Sequence, residues 1–310
     1  MNSNLKAYVA LGLVCFFWGT TYLAARIGVS GFPALIFMGI RNTIAGSLLL
    51  MFLIIQNRKF IWKWRDVQLQ IIPGLCMVTL GAGIVGWSVQ FIPSGLAALI
   101  CSTIPFFTIT INLLTNKSEG VNWQILAGML LGLLGVGFIF RDNLEFANNP
   151  KTLLGMAIAL LSCVFWCLGG FYTKLFPTKT SSFFNASIQM LAGGTGLFVL
   201  SFFAEDWHSL PAMTARSAWA LLYLILFGSI LAFASYLYAL SKLPAGLVSV
   251  YAYINPLVAI ILGYIILNEN ITWITALAFS VTMSGVFLVN QGYKVQNSKI
   301  EIKTVNKSLT

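Results

Sequence analysis

Pro93-Ser94-Gly95-Leu96 is followed twelve residues on by Pro105, and Pro244-Ala245-Gly246-Leu247 is followed twelve residues on by Pro256. After each stretch come an apolar run, an acid (Glu119, Glu269), a tryptophan (Trp123, Trp273) and a glycine (Gly135, Gly285). The leading prolines are offset by 151 residues and the acid, tryptophan and glycine by 150, so one insertion separates the two copies. Upstream the correspondence continues. Phe17-Trp18 with Arg26 matches Phe165-Trp166 with Lys174, and Arg41 before Ala45-Gly46 matches Gln189 before Gly193-Gly194. Shared leucines, glycines and prolines would explain single matches but not a matched order, so the chain reads as one module written twice.

The medium for which the module is built follows from composition. Residues of the AVILMFWYC set make up 58% of the 310, and charged residues only 8%. A soluble chain carries about 25% charged residues. Apolar runs of about twenty residues, enough to cross a hydrocarbon core of about 30 Å, recur along the chain. Ten are counted, at 7–27, 33–55, 68–91, 94–114, 121–140, 152–175, 182–203, 217–240, 244–267 and 271–291. The expected fold is therefore an all-α polytopic membrane protein. Its ten transmembrane helices form two inverted five-helix repeats, 1–145 and 146–292, followed by a flexible cytoplasmic tail at 293–310. An odd number of spans per copy turns the second copy upside down relative to the first. No stretch has the composition of a separate soluble domain, and no removable signal peptide is expected.

The net charge of +10 would suggest nucleic acid in a soluble protein, but its placement points elsewhere. With the N-terminus in the cytoplasm, Lys6, the cluster Arg58 to Arg65, Lys117, Lys174, Lys179, Lys242 and the tail lysines share the cytoplasmic side. Arg26, Arg141, Lys151 and Arg216 fall outside, and Arg41 lies within a span. This positive-inside bias puts both termini in the cytoplasm and excludes a nucleic-acid partner. The five cysteines all lie in spans without zinc-like spacing and read as packing residues. His208, the single histidine, stands in a loop beside Glu205 and Asp206 and reads as surface. No metal, cofactor or catalytic group is expected, since a membrane enzyme would need a nucleophile–base pair or a metal cluster.

The chain resembles the EamA-like family of the drug/metabolite transporter superfamily, with two modules covering nearly its whole length. The resemblance is carried by Trp18-Gly19-Thr20-Thr21-Tyr22, Arg41, the Pro-Ser-Gly-Leu-Ala-Ala-Leu opening at 93–99 with Pro105, the segment from Pro244 to Pro256, and Leu267-Asn268-Glu269. In the first copy, Lys117-Ser118-Glu119 keeps only the acid of that last motif. The resemblance implies an inner-membrane secondary transporter that exports amino acids or related small metabolites by alternating access. A multidrug efflux carrier is the alternative, with a channel or membrane enzyme behind it. It also implies a structural or gating part for Arg41, since the family carries a basic residue there across different substrates.

The residues themselves nominate a site. Arg41 stands about eight residues, or roughly 12 Å, inside its span. An unpaired charge there costs at least ~2.5 kcal/mol, so it must face protein, water or a solute. It reads either as an anchor for an anion or as a structural arginine reaching the interface. Pro105 and Pro256, at matching places in the two copies, each remove a backbone donor mid-span and point to a central cavity. Trp18, Tyr22, Trp87, Ser102, Tyr236, Tyr253 and Asn255 surround them in the pattern of a small, partly apolar solute site, although aromatics near span ends also form interfacial belts. Gly128 and Gly132 form a GxxxG motif that serves helix packing within one chain or between two, so a monomer and a homodimer both remain open. The expected partners are a small-molecule substrate and the lipid bilayer.

Overall fold

In a computed structural model the described residues are 3–56, 62–92, 94–115, 122–140, 149–267 and a scattered set between 273 and 295. Every regular element among them is helical. We number these α1 (Ser3–Val29), α2 (Ala34–Gln56), α3 (Trp64–Ser88), α4 (Ser94–Cys101), α5 (Ile104–Thr115), α6 (Trp123–Phe140), α7 (Pro150–Leu175), α8 (Ser182–Ala204), α9 (Ala215–Lys242), α10 (Ala245–Val248) and α11 (Tyr251–Leu267). The described residues from 273 to 295 are helical as well. Six of the helices, α1, α2, α3, α7, α8 and α9, are long and apolar enough to cross a membrane. Glu119, Glu269 and residues 296–310 of the tail lie outside the described residues.

Helices form because a bilayer offers no water to the backbone, so each span must satisfy its N–H and C=O groups internally. The ends are written locally. Asn149 accepts from the Lys151 N–H ahead of Pro150, Ser181 from the Phe184 N–H, and Thr214 from the Ser217 N–H. Glu205, just beyond α8, reaches across to α2. Its two carboxylate oxygens accept the N–H groups of Leu35 and Ile36 at 2.8 and 2.9 Å, satisfying orphan donors at the positive end of that helix. Burial is inverted relative to a soluble protein: Ile55, Phe202, Phe203 and Leu114 are among the large apolar side chains left exposed. Such side chains cost nothing against lipid tails.

Close packing inside the bundle is made by small residues. A Cβ on Gly193 would collide with Val78 and stand 2.8 Å from the Gly74 carbonyl oxygen. One on Gly46 would lie 2.9 Å from the Ser187 oxygen, and one on Gly194 would run into Thr43. Helices α2, α3 and α8 therefore meet backbone to backbone. The GxxxG glycines do the same within the chain: Gly128 faces Gly285, and Gly132 takes the ring of Tyr253.

The element contacts are reciprocal. Helix α1 packs on α9 and α11, and α7 packs on α3 and α5, while α2 and α8 pack on each other. Local irregularities recur as well. Gly74–Gly83 in α3 and Leu224–Leu231 in α9 are wound as π-helix, and their starts are 150 residues apart. The backbone donor expected to be lost mid-span at Pro105 is lost elsewhere in the helix. The helix is already broken at Ser102 and Thr103, so Pro105 falls in the first turn of α5, where its missing N–H removes no helical bond. Pro256 does lie inside a helix, α11, and the break in that region comes earlier, at Ser249 and Val250. Hydroxyls service both breaks: Thr103 donates to the Ile100 carbonyl and Ser249 to the Gly246 carbonyl.

Candidate functional site

Two cavities lie one after the other along α7. The larger encloses about 100 Å³ between the C-terminal half of α1, the N-terminal half of α2, α3, the α4–α5 break, and the middles of α7 and α9. The smaller, about 20 Å³, lies between α5, the later half of α7, the end of α9 and α10. Ile104 and Trp166 line both, so these two side chains form the partition.

An aromatic cluster builds that partition. Trp18 and Trp166, equivalent positions in the two copies, meet edge to face with ring centroids 5.2 Å apart. Tyr251 stands 4.9 Å from Trp18, and Tyr236 stands 5.2 and 5.3 Å from the two tryptophans. Edge-to-face and tilted pairs of this kind lock one another's rotamers. The π-helical turn of α9 contributes as well: Trp18 Nε1 donates to the carbonyl of Gly228 at 3.0 Å. Trp166 Nε1 is buried and makes no well-aligned hydrogen bond, although it interacts with the Tyr236 side chain.

Arg41 lies in the wall of the larger cavity and is only 8% exposed. Its Nε donates to Ser229 Oγ at 2.9 Å, tying α2 to α9. Nη1 has only the Met38 sulfur, at 3.8 Å. The guanidinium lies against Gly228, where a Cβ would come within 2.8 Å of Nη2. The absence of a side chain at Gly228 makes room for the arginine. Among the described residues that line the cavity, Arg41 alone carries a formal charge. Its counterpart in the second copy, Gln189, is fully buried, and its Nε2 donates to Gln70 Oε1 at 2.6 Å. Thr79, the counterpart of Ser229, donates to the Gly193 carbonyl at 2.8 Å.

The nominated residues divide by position. Trp18, Tyr22 and Arg41 line the larger cavity, and Tyr236 lines the smaller. Trp87, Ser102, Pro105, Tyr253, Asn255 and Pro256 line neither. Tyr253 is fully buried against α6, with its hydroxyl donating to the Met129 carbonyl at 3.4 Å. The Asn255 amide nitrogen, turned toward acceptors, donates to the carbonyls of Cys15 and Tyr251 at 3.0 Å and ties α11 to α1. Trp87 packs edge to face on Phe91. Ser102 is buried at the α4–α5 break, followed by Pro105. Sequence reasoning did not nominate Trp166, Ser229, Thr21 or Asn42. The equivalence of Trp166 to Trp18 was a usable signal for the first. Ser229 had none, because only the π-helical turn brings it to Arg41.

No cluster of three or more potential metal ligands occurs among the described residues. In the loop after α8, Asp206 accepts from the Ser209 hydroxyl and the His208 N–H. These bonds, the hydroxyl first, hold its carboxyl below the usual carboxylate range.

Comparison with known proteins agrees with this architecture. The chain is 33% identical over 291 residues to the uncharacterized inner membrane transporter YedA of Escherichia coli (strain K12), covering 93% of this chain and 92% of that protein. It is 27% identical over 285 residues to the uncharacterized transporter YoaV of Bacillus subtilis (strain 168), covering 92% and 96%. A solved crystal structure superposes with a TM-score of 0.76 over 93% of this chain and 98% of the other, and at 15% identity it shows the fold alone. The profile of the EamA-like transporter family matches twice, at residues 5–141 and 153–291. A bundle of apolar helices around a polar-edged cavity, matched by that profile over nearly its whole length, makes this chain an integral membrane transporter of the EamA-like family within the drug/metabolite transporter superfamily.

Proposed function

We propose that the protein is a secondary carrier that exports amino acids or related small metabolites across the bacterial inner membrane by alternating access. The observation that carries this reading is the pair of cavities stacked along α7 with Trp166 and Ile104 as their common wall. A solute in one cavity is separated from the other by a single layer of side chains, and rocking one half against the other would move that layer across it. The carrier would have ten spans as two inverted five-helix repeats. The double family match, the reciprocal packing of α1 and α7, and the paired π-helical turns support that architecture. Both termini would be cytoplasmic, as the positive-inside bias favours, so the larger cavity opens outward and the smaller inward. Among the described residues lining the larger cavity no carboxylate occurs, which counts against a proton relay through an acid and against cationic drugs as cargo.

Purified protein in liposomes tests the carrier reading. Saturable uptake accelerated by unlabelled solute on the opposite side is the expected result. Flux that rises linearly with concentration and shows no counterflow would replace the carrier by a channel.

A further inference from the structure

We propose, resting on the carrier reading, that the larger cavity binds its solute through an anionic group, a carboxylate seated on Arg41 and Ser229, with an apolar body against the aromatic partition.

Charge is the first argument. Arg41 lies in the apolar interior of the bundle, where an unpaired cation costs at least ~2.5 kcal/mol, and the described lining offers it no carboxylate. A site carrying one positive charge and no negative one attracts an anion and repels a cation.

Geometry is the second. Nε is occupied by Ser229 Oγ, which orients the fork and leaves the terminal nitrogens for a ligand. Nη1 faces only a thioether sulfur at 3.8 Å, a weak acceptor that an oxygen would replace. A carboxylate can take two parallel N–H bonds from such a fork. Ser229 accepts from Arg41 through its oxygen, so its own proton can be donated to the same anion. The bare backbone of Gly228 lets the guanidinium lie close against α9 beside Ser229.

The rest of the wall selects the body. Trp18, Trp166, Phe233 and Tyr251 present apolar surface. Trp18 Nε1 is already committed to Gly228, so it does not compete for the anion. The comparison between copies points the same way. Gln189, where Arg41's counterpart stands, has its amide nitrogen tied to Gln70, and Thr79 is tied to Gly193. At the equivalent place in the fold Gln189 and Thr79 each donate to a protein acceptor, whereas Arg41 keeps its two terminal nitrogens without an oxygen acceptor in the cavity wall.

The test uses full-length protein in nanodiscs and four acid–amide pairs: benzoate, phenylacetate, phenylpropionate and hexanoate, each against its neutral amide. Phenethylamine serves as the cation. In the unmodified protein at least one carboxylate should bind about tenfold or more tighter than its amide, and the amine should not compete. Arg41→Gln should erase the acid preference, Arg41→Lys should keep part of it, and Ser229→Ala should reduce it. Equal binding of every acid and its amide, no binding of any acid, tighter binding of the amine, or an acid preference that survives Arg41→Gln would each overturn the proposal. The acid–amide comparison in unmodified protein needs no variant, so misfolding of Arg41→Gln cannot hide the answer. Liposome flux of the same compounds separates the two readings: saturable counterflow of amide or amine without acid recognition sinks the anion site and leaves the carrier standing. Linear flux of every compound sinks the carrier, and the nanodisc affinities still judge the anion site.

Discussion

The two equivalent tryptophans differ in one hydrogen bond. Trp18 Nε1 has the Gly228 carbonyl, whereas Trp166 Nε1 is buried with only a poorly aligned approach to the Tyr236 side chain. Replacing either by Phe removes similar ring area, so comparing the two isolates the bond. Trp18→Phe should lose about 1 kcal/mol more stability than Trp166→Phe, because it removes a well-formed hydrogen bond to the Gly228 carbonyl while the other change removes only a poorly aligned contact with Tyr236. Thermal unfolding of the two variants in the same detergent checks this, and equal losses would show that the Gly228 bond contributes nothing net. At this scale the sequence was partly legible. Arg41 stood out as a charge in an apolar run, and Trp18 as an opening motif. Tyr253 and Asn255 looked like solute ligands but face helix partners, because residue type and span do not specify which way a side chain points around a helix.

At the scale of elements, glycines decide which helices can touch. A methyl at Gly193 would strike Val78 and approach the Gly74 backbone oxygen at 2.8 Å, where nothing can yield without parting α3 from α8. Gly193→Ala should therefore cost about 1–3 kcal/mol. Gly12 has nothing within 4 Å of its added Cβ, so Gly12→Ala should be neutral or gain up to about 1 kcal/mol from helix propensity. Matching effects of the two substitutions on the melting temperature would refute the packing account. The Gly193-Gly194 pair was visible in the sequence as a small-residue step, but its partner was not. The breaks at Ser102 and Ser249 were half visible: Pro105 and Pro256 marked the regions, while the places where the helices give way, with Thr103 and Ser249 bonding back to the Ile100 and Gly246 carbonyls, came only from the structure. The π-helical turns left no readable trace, since an i→i+5 turn is chosen by the packing around it.

At the scale of the whole molecule, the arrangement of cavities makes a directional prediction for the carrier. In a cysteine-free background, Ala25→Cys and Thr21→Cys line the larger cavity, and Leu240→Cys and Thr108→Cys line the smaller. A membrane-impermeant thiol reagent should modify the first pair from outside the cell and the second only in inside-out vesicles. Modification of both pairs from the same side would overturn the assigned orientation and the partition together.

What the sequence determined by itself is what periodicity and hydration dictate. Long apolar runs with few charges commit the chain to helices in lipid, because a continuous run of about twenty apolar residues satisfies its own backbone groups across the bilayer as a helix, whereas a barrel strand would be shorter and alternate in polarity. The repeated proline, tryptophan and glycine pattern carries the family. What only the tertiary structure decided is which side chains share space: that Trp166 partitions two cavities, that Glu205 caps a helix some 170 positions upstream, and that Ser229 meets Arg41 while Gln189 meets Gln70. These contacts depend on the rotation of each helix about its own axis and on its crossing with neighbours. In lipid, where an apolar face has no preference between tails and protein, that rotation is set by steric fit and hydrogen bonding across helices, and neither is written in any single segment.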